Sequence, residues 1–448
     1  MRPSGWVPRA RMGWGPLRRA WRMGGLVLAV ATVARADATS DLVNRMYAKV
    51  AASFSAGQAF GRDGDFLLLA CPGTPVEPEL LRDPSHLARL ADRIPLVAKL
   101  FLPGTRTVTA VYSEILSLAE VTNFQDQALR NKARLAHRVL YDRVNGGRPT
   151  REYLAYGTCR EAWEVAEDNL AAARAEQATS GRPVPPGLQV AVAKAQAAWV
   201  RDGHQALIEQ ARADLARYYD ADTHAWFTDL RQAMAPFRHP DGHSDGWYPV
   251  ESLPPLAQWP AEAGWKAWHF SQRDRMAAGA SAGAAEAPLL PPGLLRALPP
   301  VPGLLAASMD LSLEFKRVRF SRPWYDESLE RNRGWRMTAR AGFRQLSSGK
   351  PLGPEPGVMA LKVTGALLAR RVVLMGDGGA GDVTRLQGLQ ALGPVSLKGD
   401  GAGSALRTTV DARSRPGKVV ISVEGMQILG WFCETVPLAP DPDPDWFR

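Results

Sequence analysis

Cysteine is scarce in this chain. Cys71, Cys159 and Cys433 are three in 448 residues, an odd number with no C-x-x-C pair, which excludes a disulfide framework and a cysteine-based zinc site. One bridge stays open if the chain is exported. The other reading is three small apolar residues packed in a core. Acid is absent from residues 1–36, which carry Arg2, Arg9, Arg11, Arg18, Arg19, Arg22 and Arg35. Those seven arginines account for most of the formal net charge of +10 and leave +3 for the other 412 residues. A body so close to neutral has little electrostatic pull on phosphate, so nucleic acid is excluded as a partner. The apolar run that follows the basic start, residues 24–34, is eleven residues long. At ~1.5 Å per residue it spans about half a bilayer core, too little for a permanent anchor.

What remains has a globular composition. With 46% apolar and 22% charged residues, the chain has enough apolar material for at least one large core and divides into two or three units. The basic start, the short apolar run and Ala34-Arg35-Ala36 have the layout of a cleaved signal peptide, so residues 1–36 are read as a signal-like leader and the protein as exported, periplasmic or extracellular. Arg18-Arg19 hints at bacterial twin-arginine export, although Arg22 stands where an apolar residue is expected. The alternative is a cytoplasmic protein with a misassigned start codon, beginning near Ser40-Asp41-Leu42.

The fold class expected is α+β: a mainly helical N-terminal region with a long αα-hairpin, then a mostly antiparallel β-sandwich-like C-terminal domain. Residues 37–148 read as a mixed helical region. Leu42, Met46, Val50 and Phe54 fall at four-residue spacing, FLLLAC makes a short apolar run, and a second helical stretch covers residues 111–142. Residues 149–234 read as the hairpin, two helical arms joined at 180–187, where three prolines and two glycines cannot continue a helix. Its alanine-rich seam allows coiled-coil-like approach of the arms. Residues 235–303 are a Trp/Pro-rich arm and linker, the tryptophans marking a packed rather than unstructured segment. Residues 304–437 are the β module. There Leu311, Leu313 and Phe315 share one phase and Val318 and Phe320 the other, as an inserted residue or bulge would produce. The tail, residues 438–448, is rich in Pro and Asp and is expected outside the module.

Three stretches carry candidate chemistry. Gly376, Gly378 and Gly381 have the G-x-G-x-x-G spacing of a dinucleotide site, with Asp400 at the distance of a ribose-binding acid. Too little chain follows to complete a parallel sheet, so the glycines read as a loop between β-strands. Residues 279–283 match G-x-S-x-G, but in low-complexity flanks that supply neither strand nor helix. His239, Asp241, His243 and Asp245 alternate and are the candidate metal ligands. Pro240 and Gly242 forbid a regular helix, so convergence needs an extended segment, and the competing reading is a solvated turn. The other histidines are scattered. Arg322-Pro323-Trp324-Tyr325 reads as a packing device in which an arginine stacks between aromatics.

No catalytic residue and no cofactor are assigned. The leading expectation is a non-enzymatic exported binding or assembly protein whose partner is another protein or itself. A membrane-active, toxin-like protein is one alternative, unsupported by the hairpin tip, where Arg182 and Val184 lie among prolines and glycines. A nucleotide- or metal-dependent enzyme using residues 376–381 or 239–245 is the other.

Overall fold

The computed structural model describes residues 49–50, 66–96, 100–122, 127–142, 148–240, 246–271 and 309–447, except 352, 393, 400–403 and 414–415. It is an α+β structure built on one large antiparallel sheet. The strands of that sheet are β1 (Phe66–Pro75), β2 (Glu251–Leu253), β3 (Lys266–Ser271), β4 (Asp310–Ser321), β5 (Leu361–Asp377), β6 (Arg407–Asp411) and β7 (Lys418–Thr435). Strand β7 pairs along its length with β5, and β5 pairs with β4. The far edge of β7 carries β1 and β6, and the far edge of β4 carries β2 and β3. Among the described residues, the strand pairs outside this sheet are two-stranded ribbons. The sheet therefore takes strands from three segments that composition separates: the N-terminal region, the Trp/Pro arm and the C-terminal run.

Strands β5 and β7 are apolar on both sides because both faces of the sheet are covered. On one face Leu311, Leu313, Phe315, Leu367, Leu374, Ile421 and Phe432 make a core with Met309 and Leu397. On the other, Val318, Leu361, Val363, Leu368, Ile428 and Trp431 meet Leu80, Leu87 and Trp259. This explains the phase change in β4 without a bulge in that strand. Its pairing with β5 runs unbroken from Arg319 to Glu314, so Val318 is buried on the opposite face from Phe315 by ordinary alternation. The irregularity lies on the partner, between Arg370 and Val373, where Arg371 has a positive φ of 50°. A second register shift in β5, between Val363 and Gly365, needs glycine. A Cβ on Gly365 would stand 2.4 Å from the Val318 carbonyl oxygen.

The helices follow local signals. Helix α1 (Pro78–Arg82) and α2 (Pro84–Ala91) begin with proline, and Asp83 caps α2 by accepting from the Ser85 N–H at 2.9 Å. Helix α3 (Val108–Leu118) buries Val108, Val111, Tyr112, Ile115 and Leu116, against Trp226, Phe227, Leu230, Trp324 and Trp335. The helix expected over 111–142 is thus divided, α3 ending at Leu118 and α4 covering Gln127–Leu140. Helix α5 (Arg151–Ser180) starts at the Thr150 cap and stops at Gly181, which has φ 71°. The chain then returns as α6 (Pro186–Arg201), and Trp163 of α5 stacks on Trp199 of α6 at 5.1 Å. Residues 188–234 are not one continuous arm. Asp202, Gly203 and His204 interrupt it, and α7 (Gln205–Ala221) and α8 (Thr223–Met234) follow, separated at Asp222. The interruption is sterically fixed, since a Cβ on Gly203 would stand 2.6 Å from the Trp199 carbonyl oxygen.

Charge fixes the middle of α5 to the sheet. Arg319 pairs with Glu164 and Asp168, Arg317 reaches Asp168 at 3.1 Å, and the Lys266 ammonium donates to Asn169 Oδ1 at 2.9 Å. The Trp/Pro arm is held another way. Trp259 is fully buried and donates to the Pro254 carbonyl at 3.1 Å. Lys316, 4% exposed, donates to the carbonyls of Gln258, Trp259 and Ala261. Residues 246–271 of the arm are therefore packed, as the tryptophans imply, and they also contribute β2 and β3 to the sheet; residues 272–303 lie outside the described residues. The start of the tail is not outside the fold: Leu438 and Ala439 pair with Ser348 and Ser347. No helix among the described residues is long and apolar enough to cross a membrane.

Candidate functional site

A cluster of charged side chains around a buried lysine lies where the segment after β4 meets the ends of β5 and β7. Lys362 is inward-facing in β5 between Leu361 and Val363, is 2% exposed, and stands opposite Glu434 of β7. Its ammonium donates to Glu330 Oε1 at 2.8 Å and Glu327 Oε1 at 3.2 Å, pairs with Glu434 Oε1 at 2.7 Å, and sits 4.9 Å above the Tyr325 ring. The Tyr325 hydroxyl donates to the same Glu330 oxygen at 2.7 Å. Beside them, Arg322 donates to the carbonyls of Val363 and Ala91, both at 2.7 Å, tying strand, loop and α2 together. Trp324 donates to the Pro249 carbonyl at 2.8 Å, and the Tyr112 ring meets Trp324 and Tyr325 in tilted contacts.

The electrostatics of this group suit structure better than reaction. Burial disfavours the Lys362 ammonium, but Glu330, Glu327 and Glu434 outweigh it and hold its pKa above the usual lysine value. A lysine nucleophile requires the opposite shift. Burial, with the Glu330 carboxylate adding to it, raises Tyr325 well above the ordinary phenol value. Burial also lifts Glu434, although Lys362 draws it back. The arrangement holds the proton on Lys362 and on Tyr325 rather than passing one. In the Arg322–Tyr325 stretch the two terminal guanidinium nitrogens of Arg322 are bonded to carbonyls, its Nε is buried without a hydrogen-bond partner, and no stacking of the arginine between aromatic rings is present among the described residues. Lys362, Glu330 and Glu434 went unread in the sequence, where the one signal is a lysine inside an apolar strand.

The glycine stretch is a connection out of the sheet. Gly376 is inside β5, paired with Val419. The Gly378 N–H donates to the Gly417 carbonyl at 3.2 Å, and the Gly379 N–H to Asp382 Oδ2 at 3.0 Å. Gly381 lies in a single 3₁₀ turn before α9 (Val383–Gln387). A dinucleotide site needs free N–H groups at the start of a longer helix on a parallel sheet. Here an aspartate occupies the turn and the sheet is antiparallel. Asp400 lies outside the described residues, as do 279–283. Gly378 does not hold a positive φ; a Cβ there would stand 2.7 Å from Val419 Cγ2. Because Val419 is fully buried, Gly378→Ala should cost about 1–3 kcal/mol by overpacking, and titration calorimetry of the unmodified protein with NAD or ATP should show no saturable heat. Saturable binding lost in the variant would restore the nucleotide reading.

Of the proposed metal ligands, His239 is exposed and its ring stacks on Trp247 at 4.6 Å; Asp241, His243 and Asp245 lie outside the described residues. Among the described residues no group of three His, Cys, Asp or Glu side chains is placed to hold a metal ion. Cys159 and Cys433 are free thiols. No family model, no curated protein and no solved structure matches the chain.

Proposed function

We propose that the chain is a non-enzymatic binding or assembly protein whose partner-facing element is the helical hairpin formed by α5 and α6, carried on the β module. One observation carries this reading. On α6, Leu188, Val192, Ala195 and Trp199 are buried or half-buried, Trp199 against Trp163 of α5, whereas Val190, Ala193, Ala197 and Val200 are all exposed, Val190 at 66% and Val200 at 55%. These four recur at intervals of three and four, the a/d spacing of a coiled-coil seam, on the side of the helix opposite its existing contact. A third helix packed there would bury a seam that is now in water. The signal-like layout of residues 1–36 in the sequence supports export, and the near-neutral body supports a protein partner rather than nucleic acid.

A photo-crosslinking residue placed at Val190 or Val200 of the full chain, in its native cell, tests this. Both positions should give the same discrete adduct, with another polypeptide or with a second copy, and Val190→Asp with Val200→Asp should abolish it while circular dichroism stays unchanged. Absence of an adduct from both positions would refute the reading.

A further inference from the structure

Residues 331–350 carry Arg331, Arg333, Arg336, Arg340, Arg344 and Lys350 and no acid. They enclose, with the start of the tail, a groove of about 490 Å³ walled by Glu120, Arg336, Arg344, Gln345, Pro440 and Pro442. Two features show what chemistry the segment takes. First, the chain's own acidic tail is already seated at one end: Arg333 lies 3.8 Å from both Asp441 and Asp443, its Nε donates to the Asp441 carbonyl, the Asp443 N–H donates to the Arg333 carbonyl at 3.1 Å, and Arg336 covers the Phe447 ring at 4.7 Å. Second, the charges are not used up. Arg336 is engaged bidentately by Glu120 at 2.8 and 3.1 Å, but Arg340 and Arg344 are exposed and form no ion pair among the described residues. Gln345 spends its amide on the carbonyls of Ser347 and Ala439, which fixes the groove floor.

We propose that this groove binds an extended acidic peptide of a partner protein, a carboxylate paired by Arg344 and its backbone laid against the rings of Pro440 and Pro442. The tail of a second copy is a poorer occupant, because each tail is already engaged by Arg333 of its own chain. An oligonucleotide is disfavoured because the seated tail is held partly through its backbone, the Asp443 N–H donating to the Arg333 carbonyl, a donor that a phosphodiester backbone does not offer. The guanidinium fork matches carboxylate geometry, and an unpaired arginine in a groove gives orientation as well as attraction.

The test is fluorescence anisotropy of the full-length protein with a labelled octapeptide of alternating aspartate and proline, its asparagine counterpart, and a single-stranded oligonucleotide of equal charge. The aspartate peptide should bind saturably and the asparagine peptide should not. Arg344→Glu should weaken binding about tenfold, since it turns attraction into repulsion, and Arg344→Gln should fall between. Arg331→Glu, the same charge change outside the groove, should leave the affinity within about twofold. No saturable binding of the aspartate peptide, equal losses in Arg331→Glu and Arg344→Glu, or tighter binding of the oligonucleotide would each overturn the proposal. The coiled-coil seam on α6 plays no part in this experiment, so the two readings stand or fall separately.

Discussion

Lys362→Met should destabilise the protein by about 3–5 kcal/mol, because it removes one partner of a buried ion cluster and leaves the others behind. Methionine nearly matches the lysine stem in volume, so the packing between Leu361 and Val363 survives. What is lost is the positive charge between Glu330, 6% exposed at its side chain, and Glu434, 32% exposed. Glu327 is exposed and hydrates itself; Glu330 has only the Tyr325 hydroxyl left. Against a typical total stability of roughly 5–15 kcal/mol, the variant comes close to unfolding at ambient temperature. The double change Lys362→Met with Glu330→Leu should recover a large part of the loss, since replacing a whole buried pair by apolar groups is often near neutral, less about 1 kcal/mol for the orphaned Tyr325 hydroxyl. Urea unfolding followed by circular dichroism measures both. A loss below 1 kcal/mol in the single variant, or no recovery in the double, would show that the cluster does not hold this corner of the fold.

The reason Lys362 could not be read in advance is instructive about the whole chain. Its burial depends on Glu327, Glu330 and Glu434, which meet it only after β5 and β7 have paired. The same non-local dependence hid β1. FLLLAC is visibly apolar, but its pairing with residues 427–433 is set more than 350 positions away. By contrast, elements with local signals were legible. The Thr150 cap and the Gly181 stop bracket α5, and the β-prone runs became β4, β5 and β7. The break at 202–204 was also local, with Gly203 in plain view, yet the apolar periodicity on either side masked it. The phase change in β4 was seen correctly as a pattern, but a bulge was the wrong cause: alternation with both faces covered produces it. Of the candidate sites, context was enough to separate the glycine stretch from a nucleotide fold, because the surrounding strands are β-prone rather than alternating with helices.

Raising the pH above about 10 should unfold the protein steeply, with stability falling by up to roughly 7 kcal/mol per pH unit. Burial raises the pKa of Tyr112, Tyr141, Tyr219 and Tyr325 above the ordinary phenol value, and the cluster of glutamates raises Lys362 against the opposing effect of its burial. In each case the folded-state value is above the unfolded one. The contribution to stability is therefore fully present below the unfolded pKa, about 10 for tyrosine and lysine, and is lost as pH climbs toward the folded value, because the unfolded chain releases a proton that the native state keeps. Each such group contributes about 1.4 kcal/mol per pH unit in that window, and five acting together exhaust a typical stability within one to two units. Tyrosinate absorbance and circular dichroism, recorded on the same alkaline titration, should change together and cooperatively. Tyr219→Phe removes one of the five and should flatten the slope by about one fifth while shifting the midpoint upward in pH, provided the neutral variant is no less stable by more than about 1 kcal/mol for its lost hydroxyl bond to Asp229. Tyrosines that ionise smoothly near pH 10 while the circular dichroism stays native would contradict the burial on which the prediction rests.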